Sequence, residues 1–357
     1  MLNPEVSQRM AMLRFLMIFG VVVLHVPPYV NVADVPLTAF DSIKSFFQNA
    51  AFRASVPVLT FISGYLLFST DLATRPAKLY KKKALTLGVP FLFFNMSVLA
   101  VAWAAMRFAG ISISSDLEAG GARAWIDAAF AYSSSPINYP LSFLRDMMVL
   151  MLLAPLFLLL LRKLPFVGLA LVYIVFMNDF DGLLVRRSVM PVLFYVGGLA
   201  AVRRFDMTSL DRFALPCLLL FVAACAAVVA FRVTSTVYLA LSGPFLIWPA
   251  AALLVDTRLG RFLRRLSPYS FFLFLAHAPF LMAVWIVYQR ALKGLVPYQL
   301  FWVVTPFVVA LVLIAVYRAV DAVAPRFLAL VTGAGKARGG ADRAGAAGFA
   351  KVPDLAK

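Results

Sequence analysis

The sequence predicts an all-α membrane protein, a polytopic bundle of about ten transmembrane helices. Of its 357 residues, 63% are hydrophobic and only 14% are charged. Mean hydropathy is +0.91. A typical soluble domain is closer to half apolar and a quarter charged. A chain this apolar cannot bury its surface in one water-soluble core, so the bilayer must be its solvent.

A helix needs about 20 mostly apolar residues to cross the hydrocarbon core. The fifth and sixth of the predicted spans are shorter than that. We see no internal repeat and no soluble domain. The chain is therefore predicted to be one transmembrane domain over residues 1–325, followed by a basic, Gly- and Ala-rich disordered tail over 326–357. The predicted spans are residues 11–30, 50–69, 84–107, 142–161, 165–178, 188–202, 213–231, 236–255, 267–289 and 298–320.

The formal net charge of +17 has its origin in the loops between these spans. In a soluble protein such a charge would suggest nucleic acid, but here the positive-inside rule and anionic lipid explain it, and we predict no nucleic-acid partner. Loops after even-numbered spans carry more Lys and Arg than the others, which predicts that both termini are cytoplasmic. The acidic loop over residues 110–140, with Asp116, Glu118 and Asp127, is then on the outer side.

The two cysteines, Cys217 and Cys225, lie within one apolar run. This position predicts neither a disulfide framework nor a metal site. The N-terminal apolar stretch is long, contains Arg14 and His25, and lacks a small-residue cleavage site. It is therefore predicted to be a spanning helix and not a cleaved signal peptide.

The chain contains two histidines, His25 and His277, and both fall inside predicted spans. Ionisable groups are unfavourable at membrane depth, so each is a functional candidate. Imidazole is a good general base near neutral pH, which makes both histidines candidate catalytic residues. The alternative is a histidine that only bonds a carbonyl group of a neighbouring helix.

Arg14 precedes His25 by eleven residues in the first span. In an α-helix this spacing gives about 16 Å of rise and returns to within about 20° of the same face. Arg14 is therefore predicted near the cytoplasmic mouth, with His25 further in on the same stripe. Since guanidinium suits phosphate, the pair indicates an elongated anionic cofactor lying along the helix. The alternative is that Arg14 snorkels to the headgroups.

Three further polar residues are candidates for substrate binding. Arg145 begins the fourth span near the predicted outer face, beside Asp146, and either contacts substrate or anchors the helix at the interface. Ser63 and Tyr65 lie late in the second span, on either side of Gly64. Because glycine allows helices to approach closely, packing is the default interpretation of these two residues.

Four lysines, Lys78, Lys81, Lys82 and Lys83, form a basic cluster between the second and third spans. They are candidate ligands for the phosphates of a cofactor. They equally fit a topology determinant that binds anionic membrane lipid.

Together these features resemble a known family, the integral-membrane acyltransferases of the acyltransferase-3 type. Arg14 and His25 look like the family's Arg/Lys-x10-His signature, and four further segments follow in the expected order. The resemblance covers about residues 9–320, and its specificity lies in the ordered set. The four segments are VPVLTFISGYLLF (56–68), KKKALTLGVPFLFF (81–94), YPLSFLRDMMVLMLLAPLF (139–157) and SPYSFFLFLAHAPF (267–280).

The sequence departs from the family pattern in two places. Ser142 stands where a tryptophan is common, which puts the outer substrate site in question. Lys81, Lys82 and Lys83 stand where arginines are usual, which puts the role of the basic loop in question. The C-terminal SGNH domain that some members carry is not seen in this sequence.

The resemblance implies O-acyl transfer in a bacterial-type inner membrane. The donor would be acetyl-CoA or another acyl-CoA entering from the cytoplasm, without a metal. The acceptor would be a hydroxyl of a cell-envelope or exopolysaccharide carbohydrate. His25 would either deprotonate that hydroxyl or carry the acyl group, and both routes stay open.

Each remaining candidate then takes a role in the implied reaction. Arg14 and the four lysines would bind CoA phosphate, and Arg145 would contact the acceptor from outside. His277 lies about 15 Å into its span, a depth comparable to that of His25, so the two histidines could flank one cavity.

A multi-span transporter or flippase of an anionic or lipid-linked glycan precursor is the competing interpretation. Ten spans with a basic mouth fit such a carrier, which often holds ionisable residues at mid-membrane. The sequence shows no internal repeat and few paired acidic residues for ion coupling, so we favour the acyltransferase. A scaffold in a polysaccharide synthase complex would leave both histidines unexplained.

Overall fold

The computed structural model describes residues 3–109, 117, 120–180, 182 and 184–334. These residues form helices joined by turns and short loops, and no strand occurs among them. The α-helices are α1 (Pro4–Leu24), α2 (Ala39–Ser45), α3 (Ser55–Phe68), α4 (Pro76–Lys83), α5 (Val89–Ala109), α6 (Gly121–Phe130), α7 (Ser142–Lys163), α8 (Pro165–Met177), α9 (Val189–Val202), α10 (Ala214–Ala230), α11 (Val237–Ala250), α12 (Ala252–Val255), α13 (Arg258–Leu266), α14 (Ser270–Val287), α15 (Tyr298–Val323) and α16 (Pro325–Val331).

The predicted all-α polytopic class is confirmed. Within the described ranges, seven helical stretches are long and apolar enough to cross a membrane. Three further apolar helices, α8, α9 and α11, are shorter. Each of these ten segments corresponds to one of the predicted spans.

The predicted bounds of the first span, 11–30, are wrong at both ends. The helix begins at Pro4, where the Asn3 side chain caps it by accepting a hydrogen bond from the Glu5 N–H (3.0 Å). These first turns are polar, so an apolar window misses them. The helix ends at Leu24, because Pro27 and Pro28 cannot donate backbone hydrogen bonds and their rings obstruct a continuing helix.

Two other boundaries also differ from the prediction. The second span was expected from residue 50, but α3 starts at Ser55. A π-helical turn, Phe46–Ala50, and a 3-10 turn, Ala51–Ala54, precede it. In the loop predicted over 110–140, residues 121–130 form α6. Within α6, Asp127 accepts bonds from the N–H (2.7 Å) and hydroxyl (2.8 Å) of Ser133, and Asp116 and Glu118 lie outside the described residues.

The tail predicted over 326–357 begins with ordered structure. Residues 326–331 belong to α16, whose Leu328 and Val331 are buried, and Gly333 lies against the backbone of Thr86. A window of composition misses this short helix because the basic, glycine-rich sequence starts only after it. The rest of the predicted tail, residues 335–357, lies outside the described residues.

Helix α3 packs against α9 through glycine. A Cβ atom on Gly64 would overlap the backbone carbonyl of Phe194, and one on Gly197 would overlap that of Phe61. Because neither position has room for a side chain, the two backbones can approach closely. This contact holds α3 and α9 together in the core, where α3 also packs against α1 and α9 against α7.

The bundle has two chemically distinct ends. At one end, which we call the histidine end, the Tyr298 hydroxyl at the start of α15 donates to the Pro27 carbonyl in the loop after α1 (3.2 Å), and Arg145 of α7 bonds the loops after α6 and α8. At the opposite end, the guanidinium of Arg9 in α1 donates to both carboxylate oxygens of Asp211 (2.6 Å each). Since α15 starts at the histidine end and runs away from it, both ends of the described chain lie opposite the histidines.

Candidate active site

His25 and His277 form a direct hydrogen bond, with 3.0 Å between Nδ1 of His25 and Nε2 of His277. Their rings stack at 5.3 Å between centroids. His25 is the residue that caps the C-terminal end of α1 and is partly exposed, whereas His277 lies within α14 and is fully buried. The sequence predicted only a comparable depth for the two rings. The structure brings them into contact.

The hydrogen-bond partners of His277 assign the tautomers of both rings. Its Nδ1 lies 2.8 Å from the Phe274 carbonyl and 3.2 Å from that of Leu273. A carbonyl only accepts, so this nitrogen carries the proton, and Nε2 of neutral His277 is an acceptor. His25 must then donate from Nδ1, which leaves the lone pair on its own Nε2. Among the described residues Nε2 of His25 makes no hydrogen bond, so it is available to act as a base or a nucleophile.

The end of α1 that carries His25 is held by Gln48. This side chain, in the π-helical turn, donates from Nε2 to the carbonyls of Val23 (3.1 Å) and Val26 (2.8 Å). The ring of Tyr139 meets His25 edge-on, at 4.9 Å between centroids. The carbonyl groups at the helix end thus gain hydrogen-bond partners. The His25 ring itself contacts the rings of Tyr139 and His277.

A second network supports the helix that carries His277. Asn138 donates from Nδ2 to the Leu275 carbonyl of α14 (3.2 Å), and its own N–H donates to Oδ1 of Asn95 (3.1 Å). Asn95 in turn donates to the carbonyls of Ala128 and Ala129 (2.7 and 2.8 Å). Two buried amides, Asn95 and Asn138, therefore tie α5 and α6 to α14.

Arg14 lines a narrow cavity between α1, α3, α7 and α14. The other lining residues are almost all apolar. Phe274, whose carbonyl bonds His277, closes the cavity on the side of α14. Arg14 thus lies within α1, beside the cavity, and His25 caps the C-terminal end of the same helix. The lining is completed by Ile18, Leu59, Leu87, Phe143, Leu144, Met147, Ser270 and Phe271.

Arg145 bonds the loops at the histidine end. It donates to the carbonyls of Ala131 (Nε, 3.2 Å), Tyr132 (Nη2, 3.4 Å) and Leu184 (Nη1, 2.7 Å), and Nη1 also pairs with Asp146 (2.9 Å). This geometry favours the anchoring interpretation of Arg145. Its predicted contact with substrate stays a prediction.

Ser63 and Tyr65 lie at the α3–α9 contact. The Ser63 hydroxyl donates to the Leu59 carbonyl of its own helix (2.7 Å), and both residues are buried. Their position beside Gly64 agrees with the packing interpretation. A role in substrate binding is not supported by any contact described for them.

The four lysines lie on or at the end of α4, at the end of the bundle opposite the histidines. Lys78, Lys81 and Lys82 are exposed, and Lys83 is half-buried. The hydroxyl of Tyr80 donates to the Leu152 carbonyl (3.1 Å), which ties α4 to α7. Both predicted roles, phosphate binding and lipid binding, fit this exposure.

Three arginines, one at the end opposite the histidines and two at the histidine end, have structural contacts that the sequence did not reveal. Arg9 is fully buried, pairs with Asp211 and Glu5, and lies 5.2 Å from the Trp248 ring centroid. Arg53 and Arg187 lie in loops, where nothing in the sequence singles them out. A buried arginine about one and a half turns before Arg14 could have been suspected from the apolar helix that follows it, but the positions of the two loop arginines depend on tertiary contacts.

Fold and site together define a class, a membrane-embedded helical protein with an imidazole pair arranged for proton or acyl transfer. The profile of the family described as "Acyltransferase domain" matches residues 8–319. The chain therefore belongs to this acyltransferase family, as its motifs predicted, and it is an enzyme, an O-acyltransferase. That function replaces the carrier interpretation.

A curated relative gives the same family assignment. The chain is 34% identical to the succinoglycan biosynthesis protein ExoH of Rhizobium meliloti (strain 1021), over 93% of each chain. No solved structure matches it. Within the described part of the chain, no three His, Cys, Asp or Glu residues are grouped to hold a metal ion.

Proposed function

We propose that the enzyme transfers an acyl group from a cytoplasmic acyl-CoA, acetyl-CoA in the simplest case, to a hydroxyl of a cell-envelope or exopolysaccharide carbohydrate. The observation that carries this proposal is the His25–His277 hydrogen bond, which leaves the Nε2 lone pair of His25 available. The similarity to ExoH, a protein of succinoglycan biosynthesis, supports a polysaccharide acceptor.

The donor site in this proposal is the cavity at Arg14. Its guanidinium would pair with a CoA phosphate, and the apolar lining would contact the pantetheine arm. Lys78, Lys81, Lys82 and Lys83 would add positive charge near the same end of the bundle. The thioester then extends along α1 toward His25.

The reaction uses His25 as the catalytic residue and His277 as a positioning residue. The acceptor hydroxyl gives its proton to Nε2 of His25 while its oxygen attacks the thioester carbon. The carbon–sulfur bond then breaks, and the thiolate takes the proton from the imidazolium. His277 holds the tautomer throughout, because its Nε2 accepts from Nδ1 of His25.

An acyl-histidine route uses the same lone pair. Nε2 of His25 would attack the thioester, CoA would leave, and the acceptor hydroxyl would then displace the imidazole. A burst of CoA release without acceptor marks this second route. Its absence, with transfer intact when acceptor is added, marks direct transfer.

We infer that the protein lies in a bacterial inner membrane with both termini cytoplasmic. The basic residues of α4 and α13 lie at the end of the bundle that carries Arg9, while His25 lies at the opposite end. Anionic lipid would neutralise the basic loops. This orientation brings a cytoplasmic donor to one end and an external acceptor to the other.

The test is transfer of radiolabel from acetyl-CoA to a glycan extract by the purified full-length protein. His25→Ala should abolish transfer, a loss of at least about a thousandfold, because base catalysis and any acyl-histidine are both removed. Folding is checked by the melting temperature in detergent. An equally folded His25→Ala protein that still transfers the label would disprove the assignment.

A further inference from the structure

Two arginines from distant parts of the chain lie at the histidine end of the bundle. Arg53 is in the 3-10 turn before α3 and bonds Gln48, which holds the end of α1; Arg187 lies just before α9 and bonds Asp146 of α7. The positive charges of both act on the His25 ring, and that of Arg53 acts on Arg187. Both side chains are partly exposed, so a ligand can reach them.

The backbone of Arg187 is fixed, but its guanidinium lacks an anion. Its N–H donates to Oδ2 of Asp146 (3.1 Å), while Nη1 is buried and makes no hydrogen bond among the described residues. Asp146 is already engaged by the Arg145 guanidinium (2.9 Å) and by the Arg186 N–H (3.2 Å). The negative charge of Asp146 is therefore shared between Arg145 and the backbone of Arg186 and Arg187, and it forms no ion pair with the Arg187 guanidinium.

Arg53 is oriented by two contacts that leave the end of its guanidinium open. Its Nε donates to the Gln48 carbonyl (3.2 Å), and its guanidinium lies 5.0 Å from the Tyr29 ring centroid. In the described part of the chain, its Nη groups make no hydrogen bond. Because Gln48 also holds the end of α1, Arg53 is connected to the backbone next to His25.

The charges at this place are not balanced. Burial lowers the pKa of Arg187, Asp146 opposes that shift, and the positive charge of Arg53 adds to it. Two guanidinium groups that repel each other in a partly buried site are unfavourable unless an anion offsets their charge. The planar fork of an arginine matches a carboxylate, which can bond both side chains at once.

We propose that Arg53 and Arg187 form a carboxylate-binding site that orients an anionic substrate at His25. The inference deepens the proposed function and rests on it. The carboxylate has two possible sources, the far end of a dicarboxylic acyl group on the donor or an acidic sugar of the acceptor. In both cases it lies a short distance from the carbonyl or hydroxyl that reacts at Nε2 of His25.

The test compares substrates that differ in one carboxylate. The donors are succinyl-CoA and butyryl-CoA, which have acyl chains of the same length. The acceptors are a native envelope glycan extract and the same extract with its carboxylates converted to amides. The variants are Arg187→Gln and Arg53→Gln, and the matched control is Arg186→Gln, an exposed neighbour that bonds the Ser133 carbonyl.

We expect Arg187→Gln to lower kcat/KM about 10- to 100-fold for the carboxylate-bearing substrate and less than about threefold for its neutral counterpart. A loss confined to succinyl-CoA assigns the site to the donor. A loss confined to the native glycan assigns it to the acceptor. Equal losses on all substrate pairs, or no loss on any, would overturn the proposal, and Arg186→Gln should behave as wild type.

A measurement without turnover separates this proposal from the proposed function. Succinate and glucuronate should raise the melting temperature of the wild-type protein more than succinamide and glucose do. Arg187→Gln and Arg53→Gln should each remove the difference. If carboxylates do not raise the wild-type melting temperature more than the neutral compounds do, the carboxylate site is refuted even where acyl transfer is intact. If they do, the site is supported even when the protein is inactive on the glycans tested.

Discussion

Two pairs of helices, α1 with α14 and α3 with α9, meet in opposite ways. Helices α1 and α14 meet through the imidazoles of His25 and His277, which form a polar bond inside the bundle. Helices α3 and α9 meet through Gly64 and Gly197, where backbone touches backbone and no side chain fits.

The difference shows that a motif residue can act through its side-chain chemistry or, like glycine, by having no side chain. Nδ1 of His277 donates to the Phe274 carbonyl, so its Nε2 is left to accept the hydrogen bond from His25. The Ser63 hydroxyl, in contrast, donates its proton to the Leu59 carbonyl of its own helix. The following variants are expected to affect turnover at the first pair and stability at the second.

The largest effect after His25→Ala is expected at His277. His277→Ala removes the acceptor that fixes the His25 tautomer, so kcat should fall about 100-fold or more while the donor KM changes little. His277→Gln keeps an acceptor oxygen and should recover part of the loss. Steady-state kinetics on both variants measure these effects, with melting temperatures as the control for folding. A wild-type kcat in His277→Ala would contradict the positioning role.

Gly64→Ala should act on stability and not on chemistry. Its Cβ would overlap the Phe194 carbonyl, and overpacking of this kind typically destabilises by about 1–3 kcal/mol. The melting temperature should fall, while kcat per folded molecule stays within about twofold of wild type. The matched control is Gly88→Ala, where the nearest atom to the new Cβ is the Met148 sulfur at 4.0 Å.

Arg14→Ala is expected to weaken donor binding. Loss of a charge-assisted contact to phosphate should raise the KM for acetyl-CoA about tenfold, with the acceptor KM unchanged. Arg14→Lys should recover part of the affinity because it keeps the charge. A donor KM that stays at the wild-type value would show that Arg14 serves the helix or the lipid interface instead.

The smallest effect is expected from the exposed lysines. Replacement of Lys78, Lys81 and Lys82 by Gln should change the donor KM by only about two- to threefold at low ionic strength, since exposed charges are well screened. The change should vanish at about 0.5 M salt. A change as large as that of Arg14→Ala would place these lysines in the donor site.

Much of this framework was predictable from residue spacing. Eleven residues between Arg14 and His25 place both on one stripe of any helix, and equal depths for the two histidines follow from their spans. The apolar pattern likewise predicted all ten segments, because the bilayer imposes helix on each of them. The boundaries of α1 were missed, since a window of apolar residues weighs Pro27 and Pro28 too lightly.

The polar framework around the histidines was not predictable in the same way. Asn138, Asp146 and Arg187 lie in or next to loops, and their partners are carbonyls and N–H groups on distant segments. No periodicity of the sequence encodes such contacts. Arg145 shows the consequence, because the sequence left it open between substrate contact and anchor, and only its oxygen partners among the described residues favour the anchor.

The termination of α1 at Leu24 has an electrostatic consequence for the reaction. His25 follows the last turn, where the aligned peptide dipoles of a helix concentrate a partial negative charge of about half an electron. An imidazole that takes a proton there gains a counter-charge from the backbone itself. A proline pair two residues further on therefore does more than stop a helix: it leaves the proton acceptor at the negative pole of α1.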